Sequence, residues 1–146
     1  AYMKNPDEMS LSLAAAISRY VRVEACNMGV NAVVAVSDSG GNPVSVQCMD
    51  DSYIASYDIA LNKAFTVVAL KMSTSALKPL AQPGGSLYGI QFTNNGKIVI
   101  FGGGVPLYNK EGKIIGGLGV SGGSEEQDTL LADLGGQLFK ACIENI

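Results

Sequence analysis

The sequence predicts a single α/β domain of the α+β type, with a five-stranded antiparallel sheet flanked by helices in the order α-ββ-αα-βββ-α. Three observations predict it. Apolar residues recur at helical spacing in long segments near the start, the middle and the end of the chain. Short β-branched runs lie between those segments and are separated by turn residues, as in hairpins. The chain has 146 residues, a length that suits one core.

The elements follow in order. Residues 1–9 read as an N-terminal arm and 10–146 as the domain. Ser10 or Ser12 caps the first helix, in which Leu13, Ile17, Tyr20, Val21 and Met28 share a face and Ser18, Arg19 and Arg22 lie away from it. Gly29 is a natural stop. Residues 32–37 and 43–49 form a hairpin across the turn at 38–42. A long helix over 54–71 and a short one over 75–80 come next, ending near Pro83, Gly84 and Gly85. Residues 97–101, 105–108 and 113–120 read as a three-strand meander with glycines inside its strands. Such glycines mark bulges or a close backbone approach. Ser124 and Gln127 are spaced as a capping box that opens the last helix.

Composition narrows the function. Charged residues make up only 16% of the chain, below the usual share of about 25%. This predicts a surface partly covered by sister subunits, hence a homo-oligomer. The net charge is −3 with no run of Lys or Arg, which argues against nucleic acid. No apolar run is long enough to span a membrane. Cys26, Cys48 and Cys142 lie far apart in apolar stretches and read as reduced core thiols of a cytoplasmic protein.

There is no histidine. That removes Ser-His-Asp and Cys-His catalysis, the HExxH zinc site and the usual imidazole ligand of a metal. Only Tyr, Met and Cys remain as common ligands of a haem iron.

Gly117, Gly119 and Gly122 match GxGxxG, yet only a helix follows, and Glu125 and Glu126 stand where a phosphate would sit. The match is therefore not a dinucleotide site. Gly102, Gly103 and Gly104 have two readings: a tight backbone approach, or amides lining a small-molecule pocket. Asp38, Asp50, Asp51 and Asp128 fit turn and cap chemistry, with a carboxylate metal site as the sharper alternative. Asp38 and Asp50 flank the first hairpin and are expected to approach across it. Lys63 stands in an apolar helix, where it either snorkels to water or binds an anion.

Several segments resemble the GlcG/HbpS family, which includes the C-terminal domain of the PduO corrinoid adenosyltransferases. They are VAVSDSGGNPV at 34–44, CMD at 48–50, ASYDIA at 55–60, KAFT at 63–66, PGG at 83–85, LYG at 87–89, GGVPL at 103–107 and GGLGVSGG at 116–123, with Glu126 and Asp128 after them. The resemblance implies a five-stranded sheet between helices, homo-oligomers and no catalytic triad. Some members bind haem, and others sit beside corrinoid-dependent or glycolate pathways. Gln47 and Cys48 stand where the family often has Arg before Met-Asp.

The expectation is a non-catalytic binding or accessory protein of bacterial catabolic metabolism, with a pocket for haem or a corrinoid. That pocket would be lined by Asp38, Met49, Asp50, Lys63, Gly102, Gly103, Gly104 and Ser121. Competing readings are an enzyme that acts on a small hydroxy or oxo acid through Lys63 or Asp50, and a structural assembly subunit.

Overall fold

A computed structural model describes residues 7–145. Part of the expected arm, residues 1–6, lies outside the described residues, and Asp7, Glu8 and Met9 precede the first helix. That helix, α1 (Leu11–Asn27), starts at Ser10, whose hydroxyl accepts the Leu13 amide at 3.1 Å. It stops at Gly29, which takes φ +72°, while the Val30 amide reaches back to the Ala25 carbonyl at 2.8 Å. Its buried stripe is Leu13, Ala14, Ile17, Ser18, Val21 and Ala25. Ser18 was expected off this face. It falls on the stripe because it stands four residues from Ala14 and three from Val21.

The hairpin β1 (Val33–Asp38) and β2 (Pro43–Cys48) forms as expected, and the Asp38 carboxylate closes its turn by accepting the Gly40 and Asn42 amides, each at 2.9 Å. Helix α2 (Ile54–Ala69) follows, then α3 (Thr74–Leu77), which runs on as a 3₁₀ turn over Lys78–Ala81. Strands β3 (Gly104–Tyr108) and β4 (Ile114–Ser121) precede α4 (Glu125–Glu144), whose Ser124–Gln127 capping box is formed in both halves.

The sheet has four strands in the order β2-β1-β4-β3, every pair antiparallel, so the order of elements is α-ββ-αα-ββ-α. The expected strand over 97–101 does not form. Ile98 and Val99 are buried, but the backbone there pairs with a side chain instead of a strand. The Thr66 hydroxyl donates to the Lys97 carbonyl at 3.1 Å and accepts the Val99 amide at 3.0 Å. The apolar run there is tied to α2 through Thr66 and has no place in the ladder.

Three layers result. On one face, α1 and α4 pack with Val34, Val36, Leu118 and Val120 into the larger core. On the other face, α2 packs through Ala60 and Ala64 onto Val33 and Ala35. The glycines of β4 set how closely α2 lies. A Cβ on Gly117 would collide with the Ala64 carbonyl, and one on Gly119 with the Ala60 carbonyl. The GxGxxG spacing is thus a seat for a helix.

The cysteines are not core thiols: Cys26 and Cys48 are exposed and Cys142 is partly buried. Cys26 sits one residue past the buried stripe of α1, and Cys48 lies on the edge strand β2, where side chains have less cover. Among the described residues, no helix is long and apolar enough to cross a membrane.

Candidate functional site

Lys63 does not snorkel to water. It is the largest fully buried side chain, at 0% exposure. Helix α2 carries it onto the face against β4, where Nζ donates to the Val120 carbonyl at 2.7 Å. The Asp128 carboxylate lies 3.6 Å away and the Phe101 ring centroid 5.1 Å away. Burial pushes the amine below its ordinary value, and the charge and hydrogen bond of Asp128 pull it back. Asp128 is itself buried, and its carboxylate accepts the Gly123 amide at 2.9 Å. A buried cation is tolerated here because a carboxylate and a carbonyl replace its water.

The three glycines close over this pair. Gly103 has φ +116°, and a side chain there would press on Lys63 Nζ and the Val120 carbonyl. The Gly102 amide donates to Glu125 Oε2 at 2.8 Å, and the Gly104 amide to the Thr74 hydroxyl at 2.9 Å. Glu125 also takes Lys78 Nζ at 2.5 Å. The Gly102 amide first, and then Lys78, hold its carboxyl below the usual range. Both amides thus have protein partners, which favours the close-approach reading of this segment over a pocket lined by its amides. Ser121 donates to the Ser56 hydroxyl at 3.1 Å across the same interface.

Five of the eight expected site residues therefore come together: Lys63, Gly102, Gly103, Gly104 and Ser121. The other three do not join them. Asp38 pairs with Gly116 at one end of the β1–β4 ladder, while Ser121 pairs with Val33 at the other. Asp38 and Asp50 also stand at opposite ends of the first hairpin, because Val33 pairs with Cys48 and Ser37 with Pro43. Met49 packs into the α1 side of the core and takes the Ala32 amide on its sulfur at 3.2 Å. Met49 and the exposed Asp50 line a separate concavity beside α1, with Arg22 and Asn31. Hairpin strands hold their two ends apart, so residues that flank a hairpin in sequence need not meet.

In the sequence Asp128 fits turn and cap chemistry, with a carboxylate metal site as the alternative, and neither reading pairs it with Lys63. A signal was present: it lies three and four residues before Leu131 and Ala132, on the buried stripe of α4. The sequence places Phe101 in a strand and Glu125 in the first turn of a helix, where it complements the dipole, and neither position points to Lys63.

Two concavities adjoin these elements. The first, of about 320 Å³, is lined by Tyr53, Ile59, Phe101, Ser121, Glu125 and Asp128. The second is a groove of about 550 Å³ between β3 and α4, walled by Val105, Pro106, Phe139 and Ile143, with Tyr108 and Lys140 on it. Among the described residues, no group of three Cys, Asp or Glu side chains is placed to hold a metal ion.

Comparison with known proteins agrees with this architecture. A relative from Citrobacter freundii, an uncharacterized 15.0 kDa protein in the dhaT-dhaS intergenic region, is 46% identical over 89% of this chain and 92% of its own length. The corrinoid adenosyltransferase PduO of the same organism is 39% identical over 80% of this chain, which spans only 35% of that protein. The crystal structure of a PduOC:heme complex superposes with a TM-score of 0.85 at 37% identity, covering 89% of this chain and 94% of the other. The model of the family described as haem degrading protein HbpS-like matches residues 9–136, and the chain belongs to that HbpS-like family.

Proposed function

We propose that this chain is a non-catalytic module that binds a tetrapyrrole, haem or a corrinoid, and serves as an accessory to bacterial catabolic metabolism. The observation that carries the reading is the superposition on the PduOC:heme complex over nearly the whole chain. Two features of the fold support it. Lys63, the one buried amine among the described residues, is committed to Asp128 and Val120 and has no exposed surface from which to act as acid, base or nucleophile. The β3–α4 groove has apolar walls and, in a chain without histidine, a tyrosine that could face an iron, with Lys140, Asp133 and Glu144 around it. A haem bound there would supply a redox-active iron.

The reading includes assembly. Tyr53, Ile54 and Tyr57, on the opening turns of α2, are 71%, 96% and 47% exposed. Water is a costly environment for such a cluster, and further copies of this chain would cover it.

Titration with haemin, followed at the Soret band, and with cobalamin, followed by intrinsic fluorescence, tests the reading. Saturable binding of either is expected. Binding of neither refutes the ligand class. Steady loss of the haem spectrum with a reductant and oxygen would replace binding with degradation.

A further inference from the structure

We propose that the concavity beside α1 binds a small zwitterion, an α-amino acid with an apolar side chain. Arg22 holds its carboxylate, and Asp50 and Gln47 hold its ammonium. The site is separate from the Lys63–Asp128 pair and from the β3–α4 groove, so the proposal stands independently of the tetrapyrrole reading.

Three buried side-chain polar atoms have no hydrogen-bond partner among the described residues: Ser18 Oγ, Arg22 Nε and Gln47 Oε1. All three stand on one seam. Ser18 and Arg22 lie one turn apart on α1. Gln47 pairs across β2 with Val34, which belongs to the core that α1 covers, so Gln47 faces α1 as well. Proteins seldom leave a buried donor or acceptor without a partner, because its lost hydration is not replaced. Two of these three residues, Arg22 and Gln47, line the concavity of about 530 Å³ beside the seam. Each is only partly buried, so a rotation of its long side chain turns the orphaned atom toward a guest.

Charge selects the guest. Arg22 brings a cation to the concavity and Asp50 a carboxylate. Among the described residues neither enters an ion pair, with the other or with a third group. A bare anion would be opposed by Asp50 and a bare cation by Arg22. A molecule that carries both charges satisfies both. The planar fork of Arg22 matches a carboxylate with two parallel hydrogen bonds. An ammonium supplies donors to Asp50 and to the Gln47 oxygen that lacks one. Val23, Cys26 and Met49 complete the wall with aliphatic and sulfur surface, which suits an aliphatic or thioether side chain.

Isothermal titration calorimetry of the wild-type chain with L-leucine and L-methionine tests the site. Isocaproate and isopentylamine serve as the forms of leucine that lack its amine and its carboxylate. Saturable binding of at least one amino acid is expected, and loss of either charged group should weaken it about tenfold or more. Arg22→Gln should weaken it by the same factor, and Arg22→Lys by less, because an ammonium keeps the charge without the fork. Asp50→Asn should weaken binding of the amino acid and strengthen that of isocaproate, an exchange that a merely structural role would not produce. Far-UV circular dichroism checks that each variant keeps its fold. Alkylation by iodoacetamide, mapped by mass spectrometry, locates the guest. Bound amino acid should slow the reaction of Cys26, exposed on the wall, and leave that of Cys142, which lies outside it, unchanged. Absence of saturable binding by both amino acids overturns the proposal, as does binding that Arg22→Gln and Asp50→Asn leave unaltered. If isocaproate binds as well as leucine, the concavity takes carboxylates and the zwitterion is overturned. Haemin and cobalamin titrations do not depend on any of these outcomes, so the two readings fail separately.

Discussion

Replacing Lys63 with methionine tests the buried pair directly. The change keeps the length and apolar stem of the side chain and removes its charge. Two partners then lose their donor. The Asp128 carboxylate, 4% exposed, loses its cation, and removing one partner of such a pair costs about 3–5 kcal/mol. The Val120 carbonyl loses a 2.7 Å hydrogen bond, and an orphaned buried acceptor costs about 1–3 kcal/mol. One ammonium serves both, so the terms overlap and the expected loss is about 3–5 kcal/mol. That is a large part of the roughly 5–15 kcal/mol that holds a domain together. Adding Asp128→Asn should recover at least about 1 kcal/mol, because Asn needs no cation and still accepts the Gly123 amide. The pH dependence follows from the lowered amine. Between its folded value and the ordinary 10.5, the unfolded chain holds the proton that the folded chain has released. Stability from this group therefore rises with pH through that window, and Lys63→Met removes the rise. Equilibrium urea unfolding followed by circular dichroism, at neutral and alkaline pH, measures all of this. A loss below about 1 kcal/mol, or a double variant no better than the single one, would refute the account of the pair.

Gly119→Ala sets a methyl against the Ala60 carbonyl, so α2 must move; the expected cost is about 3 kcal/mol, a fall in Tm of roughly 6–12 °C by scanning calorimetry, whereas Gly136→Ala should gain about 1 kcal/mol. Ile54→Glu should lower the mass of the particle measured by light scattering, and a wild-type chain that already runs as a monomer would remove the proposed assembly.

The fold was legible wherever a local rule had no competitor. Ser10, Gly29, the turn at Asp38 and the Ser124–Gln127 box each satisfy backbone groups within a few residues, and each stands where the sequence puts it. The fifth strand misled because burial and strand pairing leave the same apolar trace. Only the Thr66 hydroxyl, some thirty residues earlier, tells them apart. The site was half legible for a similar reason. The glycines and Ser121 lie beside α2 by virtue of strand register, which periodicity shows. The union of Lys63 with Asp128 crosses from one helix to another, and no local pattern reports it. Asp38, Met49 and Asp50 were grouped with them through neighbouring motifs, and the sheet separates them.

The pairing of β1 with β4 also governs how the chain reaches this structure. Val33 meets Ser121, a partner 88 residues away, at the centre of the sheet. The first hairpin can close early, but β1 keeps an unpaired apolar edge until residue 121 has been made. Closing so long a loop is entropically costly, so this step belongs to the slow end of folding. Through that interval the nascent chain carries an open strand edge, the species that aggregates or engages chaperones. A rearranged chain that places residues 114–121 before residue 33, joined to it by a short hairpin turn, should fold faster to the same sheet. Comparing refolding rates of the two connectivities would measure what the natural order costs.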